Sequence, residues 1–359
     1  MATSRWSRAG RVLWAAVAAA GFVAPSCSKQ GGPGPAGREP GQARIVMGFS
    51  QIGSESDWRA ANTVSIKAEA EKRGIDLRFA DAQQKQENQI KALRSFLAQK
   101  VDIIAFSPVV ETGWQPVLEE IKKAGIPVIL TDRGVDVTDP SLYVTFIGSD
   151  FVEEGRRAAK WFIDHTTGDV SVFELRGTPG ASCATDRKKG FEEALAAAPR
   201  IKILQSQDGN FERARGKEVM EAFLKTPEAK KFNALYAHND DMALGAIQAM
   251  KEAGLKPGKD VKIVSIDGVK AAFEAMIAGE LNCTVECNPL LGATLFDEVE
   301  AVVAVQRLKA QAASAEFITP ELKKVLAQDL SALFTKRLVI KEGVFDQSVA
   351  KDVIGTRKY

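Results

Sequence analysis

Between Arg44 and Lys309 the chain repeats one short pattern: an apolar run, a polar junction, then an amphipathic stretch. The first half reads "ARIVMGFS", "IDLRFADA", "VDIIAFSPV" and "IPVILTDR", separated by "SDWRAANTVSIKAEAEKRG", "ENQIKALRSFLAQK" and "GWQPVLEEIKKAG". The apolar runs are nearly continuous rather than alternating, as expected of strands buried on both faces of a parallel sheet. Gly74 and Gly125 follow helical spacing where a left-handed C′ residue ends a helix. The pattern then restarts at "YVTFIGSD" and runs through "DVSVFELRG", "IKILQSQDG", "FNALYAHND", "VKIVSIDG" and "LNCTVECNP", again with helical stretches between. Two open α/β domains of similar design are therefore expected. The tail beyond about Glu316 is less regular, with "KRLVIK" as one late strand.

The first residues differ from the rest. Arg5, Arg8 and Arg11 precede an apolar stretch from Val12 to Val23, too short for the about 20 residues of a bilayer span. This layout predicts a secretory signal over residues 1–26. Two cuts fit: signal-peptidase cleavage after a small-x-small site, or lipidation at Cys27, which follows "APS" in a loose lipobox. The Gly/Pro-rich residues 27–43 read as a flexible tether. A net charge of +2, with Lys and Arg scattered among Asp and Glu, carries no nucleic-acid signal. Cys283 and Cys287 are too far apart along one strand to bridge, so either a disulfide involves Cys183 or all three are free; free thiols are expected. With two His in the chain and no C-x-x-C, no metal site is expected.

Ligands of open α/β sheets bind beyond the carboxyl ends of strands. Those ends deliver Glu55, Asp57, Trp58 and Arg59; Asp81 and Gln83; Ser107 and Trp114; Asp132 and Arg133; then Arg187, Phe211, Asn239, Asp267 and Glu286. Asp, Asn and Arg make paired hydrogen bonds to neighbouring hydroxyls, and aromatic faces suit the C–H patches of a sugar ring. Bland alternatives exist for each: Arg187 as surface charge in "DRKKG", Trp58 as a core contact, and Asp240 with Asp241 as the cap of the next helix. Asn239 is less readily explained as the cap and is taken as the ligand contact. The chain has no G-x-S-x-G elbow, no P-loop and no G-x-G-x-x-G.

The segments "VILTDR", "ELRGTPGAS", "NFERARGKEVM", "YAHNDDMALGAIQAM", "SIDG" and "TVECNP" resemble the periplasmic sugar-binding proteins of ABC transporters, ribose-binding type. Among these, the galactofuranose-binding members are most similar, through "GFSQIGSESDWRAAN" and "SPVVETGWQPVL". The resemblance implies two Rossmann-like lobes with parallel sheets, joined by a three-stranded hinge. Lobe one would comprise residues 44–148 and about 288–312, lobe two residues 149–287, with residues 313–359 returning to the lobes. It implies ligand contacts from Trp58, Asp132, Arg133, Arg187, Phe211, Asn239 and Asp267, with Trp58 and Phe211 sandwiching the sugar ring; Glu55, Arg59 and Glu286, delivered by the strand ends, complete the expected set. Where ribose binders carry a hinge Gln, this chain has Cys287 with Glu286 beside it. No catalytic residue and no cofactor are implied. The implied partners are a monosaccharide and an inner-membrane ABC permease, and the implied form is a periplasmic monomer, tethered if Cys27 is lipidated. Glu55 and Asp57 before Trp58 depart from the ribose pattern, so a sugar of the galactose series, in furanose form, is expected. Removing Arg187 is expected to abolish binding with the fold intact. A chemoreceptor sensor remains an alternative role. So does an exported sugar-processing enzyme, for which Glu55 with Asp267, or Glu286, would supply the paired carboxylates.

Overall fold

The computed structural model describes residues 44–313 and 319–359. The signal segment, the tether and Cys27 lie outside the described residues. Elements run in the order β1 (Val46–Gln51), α1 (Asp57–Lys72), β2 (Asp76–Asp81), α2 (Gln86–Ala98), β3 (Ile103–Phe106), α3 (Gln115–Lys123), β4 (Val128–Thr131) and β5 (Thr145–Gly148). The pattern recurs as α4 (Phe151–His165), β6 (Val170–Arg176), α5 (Ser182–Leu195), β7 (Ile201–Asp208), α6 (Arg213–Leu224), β8 (Ala234–Ala237), α7 (Asp240–Glu252), β9 (Lys262–Asp267), α8 (Lys270–Ile277) and β10 (Cys283–Glu286). The chain closes with α9 (Gly292–Ala313), α10 (Pro320–Leu326), α11 (Leu330–Leu333), β11 (Arg337–Val339), β12 (Val344–Asp346) and α12 (Ala350–Val353).

Two six-stranded sheets form, in the orders β11-β5-β4-β3-β1-β2 and β12-β10-β9-β8-β6-β7. The orders are equivalent, as the repeated sequence pattern requires. In each, the third strand of the repeat (β3 or β8) returns to the far side of the first (β1 or β6), which creates a switch point where loops diverge and a crevice opens. All pairings are parallel except β12 with β10. The irregular tail is thus divided between the sheets: β11 edges the first and β12 the second.

The chain crosses between sheets three times: after β5, after β10 and between β11 and β12. The second crossing returns α9 to the first sheet, where Leu295, Phe296 and Val299 pack on Met47 and Phe49. Leu93, Phe106, Trp114 and Leu118 cover that sheet's other face. Trp114 is therefore core, and its Nε1 donates to Val110 O at 2.6 Å. The second lobe buries Phe162, Phe173, Phe191, Tyr236 and Phe273. Each such side chain contributes about 1.5–3 kcal/mol by leaving water. Cys183, Cys283 and Cys287 are buried and unbridged. Among the described residues no helix is long and apolar enough to cross a membrane.

Candidate functional site

The two switch points face each other, and the crevice between them is lined by Glu55, Ser56, Trp58, Arg59, Asp132, Arg133, Cys183, Arg187, Phe211, Asn239, Asp267 and Cys287. From the first lobe, Ser56 caps α1 by accepting from Arg59 N at 3.1 Å, which aims the first turn of the helix into the crevice. Arg59 then lies between two carboxylates, with Nε 3.0 Å from Glu55 Oε1 and Nη2 2.6 Å from Asp132 Oδ2. Ser107 Oγ also donates to Asp132 Oδ2, at 3.0 Å. Burial acts to raise the Asp132 carboxyl, but Arg59 and Arg133 outweigh it and hold it below the ordinary range. Arg133 is anchored by donating to Val109 O at 3.0 Å.

From the second lobe comes Arg187, which is buried and bound on three sides. Its Nε meets Glu154 Oε2 at 2.7 Å, its Nη1 donates to His238 O at 2.5 Å, and its Nη2 stands 3.5 Å from Asp267 Oδ1. It is not surface charge. Its helix is set by a close approach: a Cβ on Gly155 of α4 would stand 2.1 Å from Arg187 O. Burial holds the Asp267 carboxyl well above its ordinary range, with Arg187 opposing. The crevice thus has one carboxyl biased to accept and another biased to hold a proton.

Trp58 and Phe211 supply the rings. Trp58 Nε1 donates to Cys287 O at 2.6 Å, so the ring is tied to a crossover strand. The Arg133 guanidinium stands 5.1 Å from the Phe211 ring centroid. Three crevice residues have positive φ: Asp132 at 61°, Phe211 at 66° and Asp267 at 128°. Such conformers cost about 1–3 kcal/mol each and concentrate at functional sites. Phe211 also requires Gly177, where a Cβ would fall 1.9 Å from the ring. Gly177→Ala is expected to displace the ring and weaken ligand binding by roughly 2- to 10-fold, a stacked ring contributing about 0.5–1.5 kcal/mol. Calorimetry on the folded variant checks this, and unchanged affinity would remove Phe211 from the site.

Of the ten positions expected from sequence, nine line this one crevice. Glu286 does not. Its Oε1 pairs with Arg357 Nη1 at 2.6 Å and its Oε2 accepts from Gly343 N at 2.9 Å, both from the tail. Its neighbour Cys287 faces the crevice instead. The division of labour in "HNDD" is also corrected. Asn239 is the N-cap of α7: its Oδ1 accepts from Met242 N at 3.0 Å, and its Nδ2 donates to Phe211 O at 3.1 Å. One amide hydrogen and one lone pair are left to face the crevice. Asp240 braces β9 and β10, accepting from Gly268 N at 2.7 Å, Val269 N at 2.9 Å and Thr284 Oγ1 at 2.8 Å.

Asp241 closes the crevice. Its Oδ2 accepts from Asp57 N at 2.9 Å across the gap, while Arg213 Nη2 pairs with Asp57 Oδ2 at 2.8 Å and Asp241 Oδ1 at 2.7 Å. Gln84 with Glu212, and Gly134 with Ser182, add further bonds between lobes. Sequence patterns gave no sign of these contacts, or of Ser56 and Cys183 as lining residues.

A crevice of charged forks and aromatic rings, held shut between two hinged lobes, defines a solute-binding protein. The chain belongs to the periplasmic binding protein domain family, whose model matches residues 47–304. It is 56% identical over 260 residues to the galactofuranose-binding protein YtfQ of Escherichia coli, covering 72% of this chain and 82% of that protein. The periplasmic binding component of the arabinose ABC transporter of Shewanella sp. ANA-3, solved with α- and β-L-arabinofuranose, is 49% identical, with a TM-score of 0.76 over 88% of this chain and 96% of that one. A Mycobacterium smegmatis structure in complex with β-D-fucofuranose is 47% identical, with a TM-score of 0.77 over 88% and 95% of the two chains. The chain is a binding protein rather than an enzyme, and the family is extracytoplasmic.

Proposed function

We propose that the chain is the solute-binding subunit of an ABC importer and that it takes a furanose monosaccharide of the galactose or arabinose series. One observation carries the polar ligand. Glu55 Oε2 and Arg133 Nε are buried in the crevice wall and have no hydrogen-bond partner among the described residues. Each such orphan costs about 1–3 kcal/mol, which a ligand hydroxyl would offset. The cavity left between the closed lobes is only about 20 Å³, so the lobes must part to admit a ring and close again around it. The relatives named for, or solved with, galactofuranose, arabinofuranose and fucofuranose support the furanose form.

Binding then proceeds by hinge closure. The sugar stacks between Trp58 and Phe211, and closure strips its hydroxyls of water. Asp132 accepts, Arg133, Arg187 and Asn239 donate, and Asp267 is positioned to donate when it carries a proton. The closed monomer docks on a membrane permease, tethered to the membrane surface through Cys27. Titration calorimetry with D-galactose, L-arabinose and D-ribose tests the ligand class. Galactose and arabinose are expected to bind with apparent affinities reduced by their small furanose fractions in solution, and ribose more weakly. Heat released only with an amino acid or an oligosaccharide would overturn the assignment.

A further inference from the structure

The three crossover segments meet at one carboxyl group that the sugar site does not include. Glu342, on the third crossing, accepts through Oε1 from Ser149 Oγ on the first crossing and from Asn288 N on the second, the latter at 2.9 Å. Ser149 Oγ is also 3.4 Å from Cys287 Sγ. Oxygens of Glu342 and Glu154 and the Cys287 sulfur all lie within 4.8 Å of one another. Glu154 is the residue whose other oxygen holds Arg187, and its Oε1 is buried with no partner among the described residues. A protonated Glu342 would supply the missing donor.

We propose that Glu342 is a positioning residue for sugar binding: its carboxyl group, carrying a proton, ties the three crossovers together and donates to Glu154, fixing the carboxylate that orients Arg187. The inference rests on the sugar-binding function above. Charge around the group fits a proton held there. On α4, Glu154 faces it, and Arg157 engages only its main-chain oxygen, at 2.9 Å. Arg337 on β11 donates to Ser149 O, and Arg357 is taken by Glu286. Among the described residues Arg187 is the one cation paired with either carboxyl group, and it sits on Glu154. Burial first, and then the Glu154 carboxylate, push the Glu342 carboxyl up to about 9, against the bonds from Ser149 and Asn288. Burial likewise raises Glu154, with Arg187 opposing.

The test compares wild type with Glu342→Gln, which keeps one acceptor and one donor, and Glu342→Ala, which keeps neither. Titration with L-arabinose from pH 6 to 10 should give wild-type affinity that is level to about pH 8 and falls about 10-fold or more through pH 9. Glu342→Gln should match wild type at pH 7 and lack that step. Glu342→Ala should bind about 10-fold more weakly already at pH 7. A purely structural role would leave the glutamine variant with the same step. Thermal denaturation of the sugar-free chain gives an independent readout. A carboxyl raised from about 4.3 to about 9 binds more protons folded than unfolded, so stability falls as pH rises between those values. The slope should be shallower in Glu342→Gln. Identical slopes, or an alanine variant that binds like wild type, would overturn the proposal. Failure of wild type to bind any monosaccharide while the slopes differ would count against the sugar assignment alone.

Discussion

Arg187→Ala should lose sugar binding by roughly 30- to 4,000-fold, the range expected when one partner of a buried charge pair is truncated, about 2–5 kcal/mol. Arg187 donates to Glu154, His238 O and Asp267 at once, and its guanidinium lines the crevice. Alanine removes the proposed ligand contact and also leaves Glu154 buried beside Glu342 without its Arg187 partner. The folded variant should also melt at lower temperature, because breaking a buried pair costs about 3–5 kcal/mol. Arg187→Lys restores the charge but cannot serve three partners with a planar fork, so it should recover stability more than affinity. Calorimetry and thermal denaturation on both variants separate the two effects. Undiminished affinity in Arg187→Ala would remove it from the site.

The second large effect is expected at Arg59. Its guanidinium separates Glu55 from Asp132, and both carboxylates are almost wholly buried. Arg59→Ala leaves them facing each other with only Arg133, 3.8 Å from each. A stability loss of about 3–5 kcal/mol follows, which corresponds to a melting point lower by roughly 6–20 °C for lobes of this size. The sign of its pH dependence is fixed by the same geometry. In wild type, Arg59 and Arg133 hold Asp132 ionised and below its ordinary range. Without Arg59 burial prevails, the carboxyl is raised, and the folded state gains by protonation. The deficit should therefore shrink as pH falls below about 5. Denaturant midpoints at pH 7 and pH 4.5 check this, and an equal deficit at both would refute the carboxylate account.

Much of the site was legible because open α/β sheets bring strand ends to one edge. Once the strands were read, Glu55, Trp58, Asp132, Arg133, Phe211 and Asp267 had to lie near one crevice. What failed, failed for lack of partners. Glu286 is adjacent in sequence to a lining residue, yet its carboxylate is claimed by Arg357 and Gly343, more than fifty residues later. In "HNDD" four polar side chains follow one another, and rules for helix starts favour Asp or Asn alike. Which one caps depends on the exact residue at which β8 ends. The structure gives the cap to Asn239, the brace to Asp240 and the closing contact to Asp241.

By itself the sequence determined the two-lobed α/β architecture, because continuous apolar strands alternating with amphipathic helices admit little else, and because the pattern occurs twice. It also pointed to a crevice lined by polar forks and aromatic rings, as the strand-end residues assemble. Only the tertiary structure decided how the lobes meet: the Asp57–Arg213–Asp241 closure, the return of α9 to the first sheet, the tail's strand in each sheet, and the Glu342 carboxyl that joins three crossings. Periodicity records which face of an element is buried. It carries no information about which distant charge a buried charge will meet, and here those long-range pairings connect the hinge to the sugar site.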